Sequence, residues 1–130
     1  MASTPQFTAT VRTEATPAFN TANTGRTGSG TIQQAFIGGT SGSRVERIRI
    51  KAQSTTTTGI IVIWTWDGSI YSIFQEVAVT AATPSSTVTA FEATVNCGNV
   101  NPLFVPSGHA LGFSTTKAEA FVATVVGGDF

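Results

Sequence analysis

From Gly59 the chain reads Gly-Ile-Ile-Val-Ile-Trp-Thr-Trp, then Asp67-Gly68, then Ser-Ile-Tyr-Ser-Ile-Phe. Ile, Val, Trp, Tyr and Phe suit a pleated, half-buried surface, and Asp-Gly between two such runs predicts an antiparallel hairpin with a type I′ turn. Further strand-like runs fall at 31–37, 45–53, 88–95, 110–115 and 118–126, the two arms of the hairpin covering 59–66 and 69–79. Gly-, Pro-, Ser- and Asn-rich turns separate them, and no run carries a helical period. Short strands at this spacing predict an all-β, antiparallel β-sandwich. With 6–12 as a first strand there are about eight, the number of a jelly roll.

Alternation assigns faces. Ile48, Ile50 and Ala52 share one side of their strand, and Arg47, Arg49 and Lys51 the other. Phe91, Ala93 and Val95 form another apolar row, as do Leu111 with Phe113, and Phe121, Ala123 and Val125. Ile60, Val62, Trp64, Tyr71 and Ile73 complete the expected core. The run 60–64 is apolar on both sides, so that strand needs a cover on each face, one of them from another subunit or from the N-terminal segment.

Residues 1–30 differ from the rest. Pro17, Asn20, Asn23, Gly25, Gly28 and Gly30 crowd among Thr and Ser, marking an arm or a first strand with a long loop. The division expected is an arm over 1–30 and a sandwich domain over 31–130. Deletion of residues 2–20 is expected to spare the sandwich.

Charge changes the picture. Only 11% of residues are charged, the formal net charge is zero, and Thr with Ser make up about a quarter of the chain. A neutral surface with few charges resists association poorly. Zero net charge disfavours nucleic acid as a partner. No segment has the length of a membrane-spanning helix, and the start lacks the basic and apolar regions of a secretory signal, so neither a membrane partner nor ordinary secretion is expected. A lone Cys97 allows no internal disulfide and suits synthesis in a reducing cytoplasm.

The chemistry-bearing residues are scattered. His109 stands alone after a Ser-Gly turn, with Cys97 as the one conceivable thiol partner. The acids Glu14, Glu46, Asp67, Glu76, Glu92, Glu119 and Asp129 fall one to a strand or turn. No phosphate-binding glycine motif or calcium loop occurs. The reading is therefore not an enzyme, with no catalytic residue, cofactor or metal. Arg44, Arg47, Arg49 and Lys51 form the one concentration of charge, either a solvated face paired with Glu46, Glu92 or Glu119, or a docking face for an acidic partner. Trp64 and Trp66 share a face and would serve core, subunit contact or sugar stacking.

The stretch 42–130 resembles a family of small virion proteins of tailed bacteriophages. The resemblance is carried by Gly42-Ser43-Arg44-Val45-Glu46-Arg47-Ile48-Arg49-Ile50-Lys51-Ala52, the threonine run at 55–58, the hairpin at 66–71, Glu76-Val77-Ala78-Val79-Thr80, Ala82-Thr83-Pro84-Ser85, Phe91-Glu92-Ala93, Leu103-Phe104-Val105-Pro106-Ser107-Gly108, Glu119-Ala120-Phe121 and the closing Gly127-Gly128-Asp129-Phe130. It implies a capsid decoration (cement) protein on the outer head of a virion, with the major capsid protein and copies of itself, as a homotrimer, for partners. A tail, neck or fibre component and a module binding host glycan are the alternatives. Expected contact residues are Phe7, Arg12, Phe19 and Arg26 in the arm, Arg47, Arg49 and Lys51 on the basic face, Trp66 and Phe130.

Overall fold

The computed structural model, described here for residues 8–98 and 102–130, contains nine strands and no helix among those residues. They are β1 (Thr10–Ala15), β2 (Gln33–Ala35), β3 (Ser43–Ala52), β4 (Gly59–Trp66), β5 (Tyr71–Val79), β6 (Glu92–Asn96), β7 (Leu103–Val105), β8 (Ala110–Thr115) and β9 (Phe121–Asp129). One sheet runs β1-β9-β3-β6 with β7 also on β3, and the other runs β2-β8-β4-β5. The antiparallel pairs are nested: β1 with β9, β2 with β8, β3 with β6 and β7, β4 with β5. This is one long hairpin rolled up so that β9 also meets β3 and β8 also meets β4, the jelly-roll arrangement.

The expected all-β sandwich is the observed fold, with one strand more. β7 is three residues between prolines, too short to declare itself by alternation. The first strand begins later than expected, at Thr10. The run at 88–95 becomes a strand only from Glu92, because Ser85 folds the preceding loop by accepting the backbone N–H groups of Thr87 and Val88. The hairpin turn is not type I′. Among its central residues Gly68 alone has positive φ, 98°, and the Asp67 carboxylate accepts the N–H groups of Ser69 and Ile70. The loop closes instead through the Asp67 side chain and the Asp67 N–H, which donates to the Ile70 carbonyl.

The sandwich core joins Val45, Ile48, Ile50, Leu111, Phe113, Phe121, Ala123 and Val125 with Ile61 and Ile63. Ile61 and Ile63 thus replace Ile60, Val62 and Trp64 as the inward residues of β4. Val62 and Trp64 are buried, but on the opposite face, while Ile60 remains 37% exposed and Tyr71 and Ile73 are half-buried.

The cover on that outer face is the chain's own segment 23–32, which leads into β2. Asn23 is buried and shapes it, accepting from Gly25 N–H and donating to the carbonyls of Ser29 and Thr31. Arg26 pairs with Glu76, the β5 residue opposite Val62. Gly28 lies against the Tyr71 carbonyl, and Ile32 sits over Gly112, where a Cβ would come within 2.6 Å of it. Beneath this strap the Trp64 indole N–H donates to the Ser114 hydroxyl at 2.8 Å.

Residues 10–22 are built into the sandwich. β1 forms an edge of the five-stranded sheet, and Phe19 buries its ring between Phe113 and Phe121. Deleting 2–20 would remove a strand and a core aromatic, so the expectation that the sandwich survives that deletion is revised.

Replacing Trp64 by alanine should cost about 3–5 kcal/mol, by opening a cavity under the strap and orphaning the Ser114 hydroxyl. Denaturant unfolding of the variant measures it; an unchanged midpoint would place the indole in solvent.

Candidate interaction face

The two sheets differ in what lies outside them. The strap lies over Val62 and Trp64 on the four-stranded sheet, whereas on the outer face of the five-stranded sheet the described residues place only Thr8, against Gly128. Cross-strand partners share a face, so the registers of β1, β9, β3, β6 and β7 give its rows. Val11, Gly128, Arg44 and Phe104 form the first, and Thr13, Val126, Arg47 and Asn96 the second. Ala15, Thr124, Arg49 and Thr94 form the third, and Val122, Lys51 and Glu92 the fourth. Val11 is 84% and Phe104 54% exposed.

Four cations stand on β3. Arg44 pairs with Glu46 at 3.2 Å; Arg49 and Lys51 share Glu92. That sharing holds the Glu92 carboxyl below its usual range, chiefly through the Arg49 hydrogen bond. Arg47 is exposed and has no ion-pair partner among the described residues. Beside this ridge Arg49, Lys51 and Thr124 line a shallow depression of about 350 Å³. The strip carries four cations against Glu46 and Glu92. Since the chain has seven basic and seven acidic residues, the remainder holds three cations against five anions. A neutral protein is thus polarised, with the positive side on the uncovered sheet.

The other expected contact residues are placed differently. Phe7 lies outside the described residues. Phe19 is in the core and offers no ring surface to a neighbour. Arg12 plugs one end of the sandwich: it lies 4.2 Å over the Phe36 ring, binds Glu14, and donates to Asp129 at 2.8 Å and to the Ile37 carbonyl at 2.9 Å. Phe36 holds a left-handed backbone (φ 49°), the conformation that turns its ring inward beneath that guanidinium. Arg26 is engaged by Glu76 in the strap. Trp66 is half-buried against Tyr71, ring centroids 4.5 Å apart. Phe130 stacks on Phe104 at the margin of the uncovered face.

Cys97 is buried and its thiol is pushed up, by desolvation first and then by Glu46. His109 belongs to the turn region where Gly68 and Gly108 approach one another, with Asp67 as its electrostatic neighbour. Sequence reasoning missed Val11, Thr13 and Ala15 as part of the face, although their alternation with Arg12 and Glu14 was visible; the first strand had been placed too early.

Comparison with protein-family models, with curated proteins and with solved structures finds no match.

Two measurements check this electrostatic layout. Asp129 is held low by the Ser43 hydroxyl and then by Arg12. A depressed carboxyl contributes stability above its unfolded value, near 4, and loses it as pH falls through the folded one. Asp129→Asn should therefore melt below the parent at neutral pH, and the gap should close as acidification protonates Asp129 in the folded protein; a constant gap would contradict the network. Arg47→Glu, in contrast, should shift stability by no more than about 0.5 kcal/mol, as expected for an exposed and unengaged side chain.

Proposed function

We propose that this chain is a structural protein of a tailed-bacteriophage virion, acting as a decoration protein that adheres to the outer head. The uncovered face of its five-stranded sheet would dock on an acidic surface of the major capsid protein. The observation that carries this reading is the contrast between the sheets: one has Val62 and Trp64 covered by the chain's own strap, while among the described residues the part of the other that bears Arg47, Arg49 and Lys51 has no such cover. Charges so arranged steer encounter and fix register more than they add affinity, while Val11, Val122, Val126 and Phe104 supply apolar contact around them. The jelly roll is used by viral coat and by lectin domains alike, so the fold supports the reading by analogy only. The function is mechanical: a protein that binds assembled shell and not free subunits stabilises the shell by mass action.

A glycan-binding role finds less support. Trp64 is sealed beneath the strap, which leaves half-buried Trp66 without a second stacking indole.

The test is mass analysis and imaging of virions encoded together with this chain. Hundreds of copies on the head are expected. A few copies at the neck or tail would favour the tail-associated alternative, and absence from the particle would overturn the virion reading. On purified heads, Arg47→Glu with Arg49→Glu should lower binding about tenfold or more at low salt, with little difference at high salt.

A further inference from the structure

The sandwich has four strand edges, and three are blunted against pairing. β2 is three residues long. β6 and β7 are short, and β6 carries Glu92 with its two cations. β5 is interrupted by a bulge at the β4 Ile63/Trp64 step and is flanked by Arg26 and Gly28 of the strap. β1 is the least protected: it has no proline and no bulge, its charges Arg12 and Glu14 lie on the inner row and bind each other, and its outer row of Val11, Thr13 and Ala15 is exposed and uncharged. Natural sheets rarely leave such an edge without a partner.

The free backbone groups of β1 can be assigned. Thr16 N–H donates to the Ala123 carbonyl, and the register pairs Glu14 with Val125 and Arg12 with Gly127. Hydrogen-bonded pairs alternate along an antiparallel ladder, so the even residues of β1 bond to β9. The N–H and C=O groups of Val11, Thr13 and Ala15 therefore point away from the sheet. Among the described residues no strand pairs with that side of β1.

We propose that β1 pairs antiparallel with β1 of a second copy across a two-fold axis at Thr13. In that register Thr13 faces the partner's Thr13 and Val11 faces the partner's Ala15, both as hydrogen-bonded pairs. Arg12 then stands opposite the partner's Glu14, and Glu14 opposite the partner's Arg12, in the closer, non-hydrogen-bonded positions. The edge is complementary to itself in charge as well as in backbone. Moving the axis to Arg12 sets Arg12 against the partner's Arg12, and moving it to Glu14 sets the two glutamates together, so charge selects the register. Glu14 is 40% exposed, within reach of a neighbour while still bound to its own Arg12. The five-stranded sheets of the two copies would become continuous, with their basic ridges on one side and each two strands in from the axis. This pairing stands on the edge geometry and does not require the virion reading.

Sedimentation of the full chain from about 1 to 200 μM tests it. A concentration-dependent dimer is expected. Thr13→Lys alters only an exposed side chain and sets two ammonium groups face to face; it should raise the dimer dissociation constant about tenfold or more with the melting temperature retained. A chain that stays monomeric throughout overturns the proposal. So does a dimer, or the trimer implied by the resemblance, that persists in folded Thr13→Lys. Should that variant misfold, hydrogen exchange on the unaltered protein decides: the amides of Val11, Thr13 and Ala15 should slow as concentration rises, and equal rates at both ends of the range refute the pairing.

Discussion

The structure depends on hiding both sides of β4. Ile61 and Ile63 face the sandwich interior, while Val62 and Trp64 project from the outer surface of the same sheet. With charged residues so scarce, such a surface has no polar substitute for burial, and leaving an indole and its neighbours in water would forfeit several kcal/mol. The segment 23–32 answers this by lying across the sheet. Its shape is set by the Asn23 amide, its grip by Arg26 on Glu76, and its closeness by glycines on both sides of the contact. The Trp64 indole is fully buried, and its N–H meets Ser114, which satisfies the one polar atom it carries.

Sealing one sheet leaves the other to define the protein's outward character. The cations gathered on β3 lie in a region whose neighbours are mostly threonine, valine and small residues. Half of that charge is compensated within the face, since Glu92 is shared between Arg49 and Lys51 and Glu46 serves Arg44. What remains is a directional field rather than a large one. A protein of zero net charge can in this way prefer one orientation towards an acidic surface without becoming a general polyanion binder.

Much of the fold was legible. The two strands of the central hairpin, the inward residues of β3, β8 and β9 and the need for a second cover on β4 follow from period-two alternation and turn residues. The errors have physical causes. Because β4 is apolar on both sides, alternation could not say which set faced the main core, and Ile61 with Ile63 were passed over. Phe19 read as an arm anchor because it stands among turn formers, yet its pairing with Phe121 lies a hundred residues away in the chain, where no local signal reaches. Arg12 looked free for the same reason: its partners Ser43 and Asp129 are distant in sequence. The basic face was visible as a pattern. Its uncovered state was not, since it depends on where the strap falls.

The nested pairing also sets an order of events in folding. Thr10 lies opposite Asp129, and β9 forms the middle of a sheet whose edge and opposite neighbour, β1 and β3, are both made long before it. The inner hairpin of β4 and β5 can close from local sequence, but the five-stranded sheet has no centre until the last strand arrives. A growing chain must therefore hold β1 unpaired and one side of β3 open, its other side taken by β6 and β7, while the rest is synthesised, and final closure joins distant segments. Such topologies fold slowly, on the millisecond-to-second scale, and keep apolar edges accessible meanwhile. Abundant hydroxyls along β1 and its flanking turns suit that wait, keeping the early segments hydrated until β9 draws them in.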